Sequence, residues 1–397
     1  MVKTPVFMDN HSTTRVDPRV VEAMLPFFTD QYGNPGSTSH VFGWETAEAV
    51  DAARESIAKS IGAQAREIVF TSGATESNNL AIRGVMERPR RKGDHIVSVV
   101  TEHKAVLDPL TKLMRRGYNA TLLPVKQNDD PRAGQIDPQH VADAIRDDTA
   151  LVSVMLANNE IGVLQPLAEI AAICKEKGVI FHSDATQAVG KIPVDVKQLG
   201  VDMISFTSHK IFGPKGIGAL YVRRGAPLLR LETQIEGGGQ EAGRRSGTLN
   251  VPGIVGFAKA LELCIDEMSS ESPRLHNLRH RLFTGLTENI PDVSLNGPPI
   301  DDLRLRLAAN LNCSFANVDG EALMMSMRDL AVSSGSACTS ANPEPSHVLR
   351  ALGIDDDLVR ASLRFGLGRF NTEEEVDFAI SLVTEAVDRL RRMSSSA

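Results

Sequence analysis

The chain has 397 residues, 42% of them hydrophobic and 23% charged, the ordinary balance of a globular protein large enough for a big α/β domain with a smaller companion. A net charge of −7, with no lysine/arginine block built like a binding arm, gives no ground for a nucleic-acid partner. No apolar run approaches the ~20 residues of a membrane span. The start Met1–Asp9 lacks a signal peptide's apolar centre, and Cys174, Cys264, Cys313 and Cys338 are too dispersed for a zinc site or a disulfide framework, so a reducing cytoplasm is expected.

Asp17-Pro18 supplies a cap and a first helical residue for a helix through Leu25. Gly33–His40 is a loop by composition, either a connector or a pocket wall, and helical spacing runs from Trp44 to Ile61. Strand Glu67–Thr71 leads through Ser72-Gly73-Ala74-Thr75 into a helix ending at Met86. A strand, a small-residue turn and a helix N-terminus together suit an anion, because free N–H groups point outward and glycine admits close approach; a cap without a ligand is the alternative.

Strand His95–Val100 precedes Thr101-Glu102-His103-Lys104 and a helix to Arg116. Next come Ala120–Val125, a helix after Asp137-Pro138, and strand Leu151–Leu156, followed by Asn158-Asn159-Glu160. A helix over 167–177 precedes strand 179–183, which runs into Asp184; 186–200 is helix or loop. Strands Val201–Phe206 and Gly218–Val222 flank a turn carrying Thr207, His209 and Lys210. Strands that repeatedly end on polar residues (Thr71, His103, Asn159, Asp184) predict a doubly wound α/β core with its ligand beyond the carboxyl ends.

Lys210 is confined to a Gly/Pro-punctuated turn, where lost hydration favours the neutral amine that Schiff-base chemistry needs. Asp184 lies 26 residues earlier at a strand end. A buried carboxylate there keeps a pyridine nitrogen protonated while a lysine holds the aldehyde of pyridoxal phosphate. A solvated loop lysine and a structural aspartate are the plainer alternatives.

The last third changes texture. Gly237–Thr248, with Arg244, Arg245 and Thr248, reads as a phosphate nest or a linker. A helix over about 251–268 is expected to join the large domain to a smaller one, with a helix over 274–289, short strands near 293–297 and 307–316, and a helix over 319–329. Ser333–Pro345 holds Cys338 among small residues and prolines, where no core can pack. Cys174, Cys264 and Cys313 lie among apolar residues and read as core. Arg364 stands in a β-like run, its planar fork suited to an α-carboxylate or a structural ion pair. A capped helix over 372–392 follows.

In order, Phe70–Ser77, Thr101–Lys104, Asn158–Gly162, Asp184–Gln187, Ser208–Lys210, Arg245–Thr248 and Ser333–Ser340 resemble the cysteine desulfurases of the NifS/IscS type, in the group with a long cysteine loop. The resemblance covers about residues 6–392. It implies the type I fold of pyridoxal-phosphate transferases. The large domain, residues 15–262, would hold a doubly wound, mostly parallel mixed sheet, and a smaller α+β domain would form from 1–14 and 263–397. It also implies a homodimer that takes sulfur from L-cysteine, giving L-alanine and a persulfide on Cys338.

By the same resemblance Lys210 would hold the cofactor, Asp184 would pair with its pyridine nitrogen, and Gln187 and Asn159 would meet its phenolic oxygen. His103 would stack on the ring as acid/base. Ala74, Thr75, Thr207 and His209 would hold the phosphate, joined by Thr248 of the other subunit. Asn159 and Arg364 would meet the substrate, Arg364 at its carboxylate. No resident metal is implied, Cys338 being at most a transient ligand of an iron–sulfur cluster. Thr207 stands where many relatives have serine, which keeps the hydroxyl. The sequence stops soon after its last helix, where IscS-type members often carry a tail that docks an iron–sulfur scaffold protein. Cluster assembly and tRNA thiolation therefore both stay open as sulfur destinations. Two other readings remain: a selenocysteine lyase or related carbon–sulfur lyase that dispenses with Cys338, and a non-catalytic assembly platform that keeps the fold.

Overall fold

The computed structural model describes residues 2–89, 92–225, 227–334 and 344–395. Seven strands form the main sheet: β2 (Ile68–Thr71), β3 (His95–Val99), β4 (Asn119–Leu123), β5 (Thr149–Ser153), β6 (Ile180–Asp184), β7 (Met203–Thr207) and β8 (Gly218–Val222). Their spatial order is β2-β8-β7-β6-β5-β3-β4. Only β8 runs against its neighbours, so six strands point the same way. Every residue of β2, β3, β5, β7 and β8 is buried, as expected of strands covered by helices on both faces. Edge strand β4 is partly exposed.

Alternation along these strands divides the interior in two. Val97, Val152, Ile204 and Phe206 face one core, while Ile96, Leu151 and Met203 face a second, packed against the helices Ala74–Met86 and Lys104–Met114. Each fully buried side chain of this size contributes roughly 1.5–3 kcal/mol.

A third core lies under an antiparallel sheet of β9 (Val293–Leu295), β10 (Asn310–Phe315), β12 (Ser333–Ser334) and β13 (Ser362–Gly366), ordered β12-β13-β10-β9. Leu311, Cys313 and Phe315 of β10 and Leu363 and Phe365 of β13 point into it. The intervening Asn312 and Arg364, opposite each other in register, share the other face. β1 (Val6–Phe7) pairs with β11 (Leu330–Ala331), so the first residues of the chain join its last third. Residues Val348, Leu349, Leu352 and Val359 return to the first core of the main sheet.

The largest departure from sequence expectation is a single helix, Val251–Asn289, of 39 residues, where a break before residue 274 was expected. Pro273 sits inside it. Leu261 and Cys264 end its contribution to the first core, and Leu278, Leu282 and Leu286 begin its contribution to the third. The polar stretch between them marks a gap between two cores rather than the end of a helix. Burial on both sides outweighs the roughly 3 kcal/mol that an interior proline costs. A smaller departure is the helix expected over 319–329, which is Gly320–Met325, while the open stretch 186–200 is helical over Val196–Leu199. Cys174, Cys264 and Cys313 are buried and free, each with its thiol pushed up to about 12 by burial. Among the described residues no helix is long and apolar enough to cross a membrane.

Candidate active site

A cavity of about 960 Å³ opens at the carboxyl ends of the main-sheet strands. Ala74, Thr75, His103, Asn159, Asp184, Gln187, Thr207, His209 and Lys210 all line it, and Arg364 closes it from the small sheet. These ten residues come from five strand ends and one strand face, and His11 and Ser12 join them from the amino-terminal segment.

Asp184 is the last residue of β6 and 4% exposed. Its Oδ2 accepts from Asn78 Nδ2 at 2.7 Å and its Oδ1 from the Thr186 N–H at 2.9 Å. Two residues back, His182 bridges β5 and β7 by bonds to Ser153 Oγ (2.9 Å) and Ser205 Oγ (3.0 Å). Burial pulls His182 down to about 4, against the opposing pull of Asp184, so the ring is neutral at pH 7.

Lys210 follows β7 and donates from Nζ to the His11 and Ser12 carbonyls, each at 2.5 Å. Those carbonyls fix the amine at the cavity wall. Gln187 Nε2 faces the His11 carbonyl, which can only accept, so the amide oxygen Oε1 is the atom that meets Lys191 Nζ at 2.6 Å. The same oxygen lies 3.1 Å from His11 Nδ1, and Gln187 Nε2 donates to the His11 carbonyl at 2.9 Å. His11 therefore carries its proton on Nδ1. Burial, then Lys191 and Arg364, hold its pKa well below the usual imidazole value. Its Nε2 is left buried and without a partner. Lys191 itself is lowered to about 7 by burial and by Lys210.

The helix Ala74–Met86 begins at Gly73, whose φ of 154° only glycine adopts without strain. Its first-turn N–H groups have no intrahelical acceptors and the helix dipole favours negative charge. Thr207 and His209 line the same cavity. His209 is held by Thr13 Oγ1 at 3.1 Å and lowered to about 4 by burial and by Lys210. Glu76, also in the first turn, is occupied by Arg245 at 2.9 Å. Burial works against the Glu76 charge, and the bonds from Arg245 and Ser72 prevail and lower its pKa.

His103 caps the helix Lys104–Met114, its Nδ1 accepting from the Ala105 N–H at 3.0 Å. The remaining proton is then on Nε2. Desolvation lowers its pKa below the imidazole value, opposed by Asp184 and reinforced by Lys210. Arg364, 7% exposed, donates to Asp9 Oδ1 (2.9 Å), Ser333 Oγ (2.8 Å) and the Asn159 carbonyl (3.1 Å).

The donor set fits pyridoxal phosphate: an anion cradle, a buried carboxylate, a fixed amine, and unpartnered polar atoms on Asn78, His11 and Arg364. Thr248 is exposed and outside this cavity, and the Gly33–His40 loop also lies outside it. Cys338 lies outside the described residues. Sequence reasoning assigned no role to Asn78, His11, Lys191 or Asp9, which hold the named residues in place.

The aminotransferase class-V family model matches residues 6–378. The cysteine desulfurase IscS of Anaeromyxobacter dehalogenans is 56% identical over 393 residues, covering 99% of this chain and 95% of that one. Its namesake in Rickettsia massiliae is 52% identical, covering 98% and 93%. Among solved structures, a NifS-like protein superposes with a TM-score of 0.88 at 38% identity, over 97% of this chain and all of its own. SspA in complex with cysteine gives 0.80 at 36% identity, over 92% and 99%. The chain belongs to the class-V aminotransferase family, among its NifS/IscS-type cysteine desulfurases.

Proposed function

We propose that the chain is a cysteine desulfurase that takes sulfur from L-cysteine, releases L-alanine and carries the sulfur on Cys338. The observation that carries this reading is the convergence of Lys210, Asp184 and the Gly73 anion cradle in one cavity, with Arg364 on its far wall. The family depends on pyridoxal phosphate, which when bound supplies an electron sink beside the substrate Cα.

Asp184, steadied by Asn78 and the Thr186 N–H, would meet the cofactor's pyridine nitrogen. Ala74, Thr75, Thr207 and His209 would hold its phosphate, and Gln187 and Asn159 its phenolic oxygen. Lys210 Nζ would hold its aldehyde and, once displaced by the substrate amine, take the Cα proton. His103 would stack on the ring and offer the proton on Nε2. Arg364 and Asn159 would orient the substrate by its carboxylate. The Cys338 thiolate would then attack the substrate sulfur: an S–S bond forms, the C–S bond breaks, and its electron pair leaves on Cβ, which takes a proton, while the proton that Lys210 took is returned to Cα to give L-alanine.

The exposure of Thr248 in a single chain supports its assignment to a neighbouring subunit's site, and with it a homodimer. Separate cores under the two sheets support two domains, a large one over 15–262 and a small one from 1–14 and 263–397, with Val348, Leu349, Leu352 and Val359 of the latter packing into the main-sheet core. A sulfur-acceptor protein such as an iron–sulfur scaffold, and a cytoplasmic setting, complete the reading.

The test is intact mass after brief exposure of the cofactor-loaded protein to L-cysteine without reductant. A gain of about 32 Da, absent in Cys338→Ala, is expected for one added sulfur. No added sulfur in the wild type overturns the persulfide step and leaves a lyase.

A further inference from the structure

Arg364 meets this cavity with its charge already taken. A carboxylate grips a guanidinium by two parallel N–H groups from one edge, and each such edge includes an Nη2 hydrogen. Here Nη2 gives its two hydrogens to Asp9 Oδ1 at 2.9 Å and to Ser333 Oγ at 2.8 Å. Nη1 is anchored on the Asn159 carbonyl at 3.1 Å, and Nε is buried with no partner. No edge can receive a substrate carboxylate in two-point fashion until one of the Nη2 bonds lets go.

Asp9 is equipped to let go. Its Oδ2 accepts from Ser12 Oγ at 2.5 Å, and its Oδ1 also accepts from Ser333 Oγ at 2.8 Å. If the guanidinium turns to another carboxylate, Asp9 keeps two hydroxyl donors. One positive charge meanwhile trades one negative partner for another, so the buried charge balance on Arg364 is unchanged. Ser333 offers no such exchange, being neutral.

On the reading that Arg364 takes the substrate carboxylate, we propose that Asp9 is the resident stand-in for that carboxylate and is exchanged for it when substrate binds. Asp9 is thus a positioning residue that sets affinity for carboxylate-bearing ligands by competing with them.

The test is isothermal titration calorimetry on the cofactor-loaded enzyme with L-alanine and with ethylamine, which keeps the amine and lacks the carboxylate. Asp9→Asn, which keeps the shape and removes the competing charge, is expected to tighten L-alanine about tenfold and leave ethylamine unchanged. Ser12→Ala removes a hydroxyl that receives the displaced Asp9 and should shift L-alanine the opposite way, weakening it about threefold. A merely structural role would weaken both ligands in both variants. L-alanine binding that is unchanged or weaker in Asp9→Asn, or an equal shift for the two ligands, overturns the exchange. Should Asp9→Asn fail to fold, Ser12→Ala decides alone: unchanged or tighter L-alanine binding overturns it. Arg364→Gln separates the two layers. If it leaves L-alanine affinity intact, the carboxylate assignment itself falls; if affinity drops while Asp9→Asn stays flat, only the exchange does.

Discussion

The two sheets place their site residues by different rules. At the edge of the main sheet, Asp184 and Thr207 are the last residues of β6 and β7, and His103, Asn159 and Lys210 lie just beyond strand ends. The strand interior fixes only where the edge falls. In the small sheet Arg364 is inside β13, facing the cavity because Leu363 and Phe365 on either side face the core. Chemistry and packing are separable at the edge and share one strand in the small sheet. A substitution at the edge can therefore remove a function and spare the fold, whereas one in β13 reaches both.

Phe365→Ala is the harshest way to probe that difference. Phe365 is 0% exposed, and its truncation should destabilise the protein by about 3–5 kcal/mol in urea unfolding. In the loaded enzyme KM for L-cysteine should rise with it. A stability loss with unchanged KM would break the link between packing and recognition in β13.

A second test lies inside the main sheet. His182 has a native pKa of about 4 against an ordinary value of 6.5. The unfolded chain therefore binds more protons between those values, so stability is full above pH 6.5 and falls as pH drops toward 4. The loss attached to this one ring is about 3 kcal/mol. Urea unfolding across that range should show the slope, and His182→Asn should reduce it by that share, the remainder belonging to His209 and the other lowered histidines; an unchanged slope assigns the whole effect to those groups. The mildest probe is Asn78→Ala, which strips one hydrogen bond from a charged Asp184 at about 2 kcal/mol. Its signature is weakened cofactor retention in dialysis with the fold intact. A retained cofactor would show that the Thr186 N–H holds Asp184 adequately alone.

The edge of the main sheet was legible because polar residues close apolar runs, as at Thr71, Asp184 and the Thr207–Lys210 turn. What stayed hidden depends on distance along the chain. His11 meets Gln187 across 176 positions and Asp9 meets Arg364 across 355, and no local pattern encodes either pairing. Asn78 did leave a trace: with Ser77 it is a fully buried polar residue beside Leu80 and Ala81, on the inward side of a helix where an unpaired amide would be costly. The helix Val251–Asn289 misled for the opposite reason, since its polar middle imitates a linker while its two ends serve different cores.

The pairing of β1 with β11 sets an order of events during synthesis. Residues 6–7 leave the ribosome first and must wait for residues 330–331 before their hydrogen bonds can form. The main sheet, complete in sequence by Val222, does not include β1, which stays unpaired until β11 has been made. His11 and Ser12, whose carbonyls hold the Lys210 amine, hang from that idle segment. Asn312, Ser333 and Arg364 line the cavity from the last third of the chain, so a nascent chain has no finished pocket to offer a cofactor until that third has emerged.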